Sequence, residues 1–165
     1  MPRSFFARFA TLCAGFAILI ALAMPAAAQD RAPFPLERGS ATRRPYVVMI
    51  DNHPRAYPQT GLDKAALVYE ALAEFGLTRF MAVYVPGVSP EAASIGPVRS
   101  ARLYFVRWAM GMNGMFIHAG GAPDALALAR ETPEIIDVDA LNRSGGAYFS
   151  RVRTRSAPDN LYTSP

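Results

Sequence analysis

The apolar residues of this chain come in short, separated runs, and that pattern is its strongest constraint on fold. Residues 46–50 (Tyr-Val-Val-Met-Ile), 80–85 (Phe-Met-Ala-Val-Tyr-Val) and 115–117 (Met-Phe-Ile) are each continuous, largely β-branched or aromatic, and stopped by turn residues. Runs of that length and composition predict strands buried on both faces. The first closes in Asp51-Asn52-His53-Pro54 and the third in His118-Ala119-Gly120-Gly121, both turn chemistry. Between them, residues 100–112 predict a helix with Ser100 as N-cap. Residues 125–131 predict a second helix, with Pro123 suited to its first turn. Strands alternating with helices make an α/β or α+β domain with a mixed sheet flanked by helices.

Residues 65–74 fit either a helix or the first arm of a hairpin. The hairpin is preferred: 68–74 would pair with 77–85 across Phe75-Gly76. That register puts Glu70, Leu72 and Glu74 on one face with Leu77, Arg79 and Met81. Residues 95–98 could add a short strand. The segment from Thr132 onward reads as irregular apart from a strand near 135–138.

The N-terminus has a different character. Arg3 and Arg8 precede an apolar stretch over 9–24, followed by Ala26-Ala27-Ala28. This is the layout of a secretory signal peptide over residues 1–28, cut before Gln29. Residues 29–44, rich in Pro, Arg, Gly and Ser, read as a flexible linker, and the folded domain runs over 45–165. The expected location is therefore periplasmic or extracellular, with no transmembrane segment in the mature chain. The only cysteine, Cys13, lies in the leader behind Leu12 and ahead of most of the apolar run, so it does not read as a lipid-attachment site. The mature chain then has no thiol for a disulfide, metal site or nucleophile.

Seventeen basic residues against thirteen acidic give +4, of which Arg3 and Arg8 lie in the leader. The remaining excess is too small to point to a nucleic acid. Lys64 is the only lysine; the other basic residues are arginines, which suit fixed anion recognition. Phosphate-binding and dinucleotide glycine loops, the serine-hydrolase elbow and the H-E-x-x-H motif are all missing from the sequence. No cofactor and no metal are expected.

The candidate residues lie at the ends of the apolar runs. His53 and His118 each follow a predicted strand, and parallel strands would bring both to one edge, close to Asp51. Such an Asp/His/His set could hold a divalent metal; the competing reading makes both histidines fixtures of tight turns. Arg99 and Arg102 would share a face at the start of the predicted helix, where cations need a counter-charge. Arg79 is a further candidate for this pair, and the negative partner is either a ligand or an internal acid: Glu70, Glu74 or Asp51. Asp51 and Glu70 are the candidate catalytic carboxylates.

Several of these segments, taken in order, resemble a known family. They are 44–54, 68–71, 77–84, 95–102, His118-Ala119-Gly120-Gly121 and 157–164. Together they look like the N-terminal domain of the YerB-like family of bacterial envelope lipoproteins, a domain of unknown function. The resemblance implies that Asp51, His53, Glu70, Arg79, Arg99, Arg102, His118 and Asn160 are recurring polar positions. It also implies a further domain after Pro165 in relatives, so the chain reads as a truncated or split member. The layout is more loosely similar to the LytR-CpsA-Psr envelope phosphotransferases. Three functions follow as expectations. The first is an envelope binding or accessory module with an arginine-lined site for an anionic ligand or an envelope protein. The second is an envelope enzyme acting on a phosphorylated or glycan substrate. The third is a purely structural interaction domain.

Overall fold

The computed structural model describes residues 43–142 and 145–164. Five strands form one mixed sheet: β1 (Tyr46–Asp51), β2 (Leu67–Leu72), β3 (Thr78–Tyr84), β4 (Met115–His118) and β5 (Ile136–Asp139). Their order across the sheet is β2-β3-β1-β4-β5. β1 pairs antiparallel with β3 and parallel with β4, and β4 pairs parallel with β5. β1 is central, which is why its sequence is continuously apolar rather than alternating.

The two faces are covered differently. Val47 and Met49 of β1, with Met81 and Phe116, meet Phe105, Val106 and Ala109 of α1 (Leu103–Met110) and Ala125 and Ala129 of α2 (Pro123–Glu131). Val48, Ile50, Ala82 and Ile117 point the other way, onto Ile95, Val98 and Leu161. Both helices therefore sit on one face. The other is closed by loops and a small antiparallel ribbon of β6 (Phe149–Arg151) and β7 (Leu161–Thr163). The fold is α+β.

Four expectations need correction. The first helix begins at Leu103 behind Arg102, not at Ser100. Its would-be first turn is held extended, because Ala101 N donates to Gly120 O at 2.9 Å and Ala101 bridges Gly121 in parallel. Residues 95–98 make isolated bridges to Thr163, Thr60 and Ile50 instead of a strand. The region after Thr132 contains β6 and β7, too short to leave a periodic signal.

The fourth concerns the hairpin. It exists, but its register is Leu72↔Thr78, Ala71↔Arg79 and Glu70↔Phe80. Phe75 and Gly76 both have positive φ, 56° and 75°, as a type I′ turn requires. Yet it is Ala73 N that donates to Leu77 O, at 2.7 Å. Glu74 is thus an extra residue on the β2 arm, and a one-residue offset exchanges the faces. Glu70 and Leu72 lie with Thr78 and Phe80, while Arg79 lies with Ala71 on the helical face.

The predicted leader, 1–28, and nearly all of the linker, 29–44, lie outside the described residues. No helix among the described residues is long and apolar enough to cross a membrane.

Candidate functional site

β1 and β4 run parallel, so the two strand ends bearing Asp51 and His118 do share one edge. In open sheets of this kind the crevice between diverging strand ends takes the ligand. Here the chain fills that crevice itself. Asp51 N donates to Pro97 O at 3.0 Å and Arg99 N to Met49 O at 2.9 Å, while Ala119 N donates to Arg99 O at 3.0 Å. Residues 97–101 thus form a wedge bonded to β1 on one side and to the β4–α2 loop on the other. Gly121 permits the close approach: a Cβ there would lie 3.0 Å from Ala101 Cβ and 3.1 Å from Ala101 O.

The wedge delivers Arg99 to two buried acids. Arg99 Nε lies 2.7 Å from Asp51 Oδ2, and its Nη2 lies 3.4 Å from Asp159 Oδ1. Asp51 Oδ1 accepts from His53 N at 3.2 Å, so both of its oxygens are engaged. Asp159 also faces the exposed Arg55, 3.4 Å away. Arg99 is therefore neutralised from inside the protein. It precedes α1 in extended backbone and does not share a helix face with Arg102.

Arg79 and Arg102 are placed otherwise. Arg79 Nη1 donates to Ser100 O at 2.8 Å, and its Nη2 lies 3.6 Å from Glu74 Oε2. Arg102 Nε donates to Glu74 Oε1. Two guanidiniums thus share one carboxylate, which is 43% exposed while the Arg79 side chain is 9% exposed. Arg79 Nε is the one buried side-chain polar atom among the described residues with no partner. Burial depresses the Arg79 guanidinium from its ordinary value, and repulsion from Arg102 outweighs attraction by Glu74. The hydrogen bond from Arg102 holds the Glu74 carboxyl below its ordinary value, against the opposing effect of desolvation. Arg102 is the N-cap of α1, which has no side-chain cap and no acid in its first turn.

The other candidates do not converge on these arginines. Glu70 Oε1 accepts from Asn52 Nδ2 at 3.1 Å and Thr78 Oγ1 at 2.6 Å on the opposite face of the sheet. Tyr57 donates to Asn52, and Gln59 Nε2 reaches Asp51 O at 3.1 Å. His53 caps the short turn Pro54–Ala56 by accepting from Arg55 N at 3.1 Å. His118 is fully buried, with Nδ1 2.8 Å from Gly120 O and Nε2 2.7 Å from Asp137 Oδ1. His53 is held by its own turn and His118 by its turn and by Asp137 of β5, so the Asp51/His53/His118 set does not assemble. Among the described residues no group of three or more His, Cys, Asp or Glu could hold a metal. Asn160 ties the β6–β7 ribbon, accepting from Arg151 Nη1 at 2.6 Å.

Three residues escaped the sequence reading. Asp159 is a buried counter-ion far along the chain from Arg99. Asp139 holds the glycine turn, accepting from Gly120 N at 2.7 Å. Arg155 fixes the loop after His53 by donating to Ala56 O, Tyr57 O and Pro58 O at 2.7, 3.1 and 2.9 Å. Asp159 sits in the motif Ala157-Pro158-Asp159-Asn160, which could have drawn notice to it; nothing local marks the other two. A cavity of about 680 Å³ opens at the far end of the sheet, beside Tyr46 and Tyr84, and shares no residue with the arginine sites. Tyr84 is buried and donates to Gly61 O at 2.9 Å; that burial raises its phenol above the ordinary value.

Known proteins with the same sequence pattern and fold exist. The family described as "Protein of unknown function (DUF3048) N-terminal domain" matches residues 34–165. "Putative lipoprotein YerB" of Bacillus subtilis (strain 168) is 42% identical over 130 residues, covering 78% of this chain and 37% of its own length. The crystal structure of the YerB protein from Bacillus subtilis superposes with a TM-score of 0.65 at 41% identity, covering 74% of this chain and 40% of that one. The chain thus spans about two fifths of the length of these relatives. Matched over most of its length, it belongs to the DUF3048 family, and residues 34–165 correspond to that family's N-terminal domain.

Proposed function

We propose that this is a binding or accessory module of the bacterial cell envelope that holds an anionic group at Arg79 and Arg102. The name of the Bacillus relative, a lipoprotein, and the signal-peptide layout of residues 1–28 support the envelope setting. One observation carries the anion reading: two guanidiniums share a single half-exposed carboxylate, and the buried Arg79 Nε has no partner. The uncapped start of α1 adds backbone N–H groups and the positive end of its dipole. Arg99, matched by Asp51 and Asp159, braces the fold instead. A binding role is favoured over an enzymatic one because both oxygens of Asp51 are engaged and Glu70 stands on the other face of the sheet.

The test is thermal unfolding with and without pyrophosphate at matched ionic strength. Pyrophosphate should raise the melting temperature of the parent and leave that of Arg102→Gln unchanged. A parent indifferent to millimolar pyrophosphate would remove the reading.

A further inference from the structure

The hairpin that supplies Glu74 has a second unusual feature. Phe75, the next residue, is 100% exposed and has a φ of 56°. A bulky side chain in left-handed backbone is strained, and a type I′ turn favours Asn, Asp or Gly at that place. The ring gains nothing from the rest of the domain in return for the strain. Leu72, at the end of the same arm, is 65% exposed but lies on the other face of the sheet from Arg79, so Phe75 forms the tip alone. An apolar tip therefore projects from the turn whose carboxylate occupies the Arg79–Arg102 pair. Strain retained at a site without internal benefit points to a contact outside the folded chain.

We propose that this tip seats on a lipid surface bearing anionic phosphate headgroups. Phe75 enters the boundary of the acyl region, and a headgroup phosphate takes the place of Glu74 between Arg79 and Arg102. The inference rests on the anion reading above and names the source of the anion. Charge complementarity selects this occupant. With Glu74 swung aside the two arginines present two positive charges, a match for a phosphate dianion that bidentate guanidinium groups hold well. An apolar tip beside cationic groups is also the arrangement by which proteins lie on anionic bilayers. Glu74 fills the site in the free protein, so its removal should favour the bound form.

The experiment is co-sedimentation of the protein, as recovered from the expressing cell, with phosphatidylcholine vesicles containing phosphatidic acid or none. The parent should be recruited by the phosphatidic acid vesicles. Phe75→Asn relieves the strained turn and removes no packing, so its unfolding midpoint should rise above the parent's while the shift caused by soluble pyrophosphate stays the same. Its vesicle partitioning should fall roughly tenfold, the worth of one phenyl group buried in an apolar phase. Glu74→Gln should bind the same vesicles more tightly and Arg102→Gln less. As a site-specific reading, the fluorescence of Phe75→Trp should be quenched by brominated lipid beyond the background from Trp108 in the parent. Stabilisation by pyrophosphate without vesicle recruitment would overturn the lipid inference and leave the anion site standing. Failure of both would remove both. Recruitment unaffected by Phe75→Asn would overturn insertion of the tip.

Discussion

Replacing Arg99 by alanine would remove the cation from between Asp51 and Asp159, whose side chains are 5% and 9% exposed. Asp51 would keep a single backbone donor, His53 N at 3.2 Å. Asp159 would keep Arg55, which is 68% exposed and 3.4 Å away. Removing one partner of a buried pair costs about 3–5 kcal/mol because the other charge is left stranded. Arg99 is itself 21% exposed, so water can partly replace it, and the lower end, about 3 kcal/mol, is expected. For a domain of this size that lowers the melting temperature by roughly 10–15 °C. Urea unfolding of the parent, Arg99→Ala, Asp51→Asn and the double variant gives the coupling directly. The double variant should cost about 2 kcal/mol less than the two single changes added together, since the Asp51 charge is then gone and only Asp159 has lost a partner. If Arg99→Ala stays within about 0.5 kcal/mol of the parent, as a surface change would, the assignment of Arg99 as a brace is wrong.

Two further outcomes follow from the geometry. The Glu74 carboxyl is held below its ordinary 4.5 chiefly by the hydrogen bond from Arg102, so its contribution to stability is present above that value and is lost as pH falls through the lower folded-state value. The difference in urea midpoint between the parent and Glu74→Gln should be largest near neutral pH and close in acid; a difference independent of pH would contradict the pairing. Gly121→Ala places a methyl group 3.0–3.1 Å from Ala101 and Leu126 and should destabilise by about 1–3 kcal/mol in calorimetry, whereas an unchanged transition would mean that the wedge yields freely.

The parts of the fold legible in the sequence were those with a local cause. Residues 46–50 and 80–85 read as strands because burial on both faces demands unbroken apolar runs. Pro123 marked the start of α2 because its missing N–H costs nothing there. The hairpin register was not legible, because the bulge at Glu74 depends on which backbone groups pair and leaves no mark in composition. Nor was the start of α1: Ser100 is a good cap in isolation, but the hydrogen bonds from Ala101 and Ala119 hold that stretch extended. Within the candidate site, the basic residues could be picked out by type and place. Their partners could not, since Asp159 meets Arg99 across sixty residues of chain. Thus Arg79, Arg99 and Arg102 looked alike in sequence, and only their counter-ions divide them into one brace and one pair with charge to spare.

The wedge of residues 97–101 also bears on how the proposed anion site would discriminate between ligands. A sheet that leaves its strand-end crevice open can surround a small molecule and select it by size and shape. Here that volume is filled by the protein's own backbone, and Arg79 and Arg102 sit beside the hairpin turn that carries Glu74. A ligand held at the proposed site would touch the domain on one side only and keep its remainder in the surroundings. Such a site tolerates whatever lies beyond the charged group, including a long polymer or an extended surface, and discriminates by charge and accessibility rather than by enclosure.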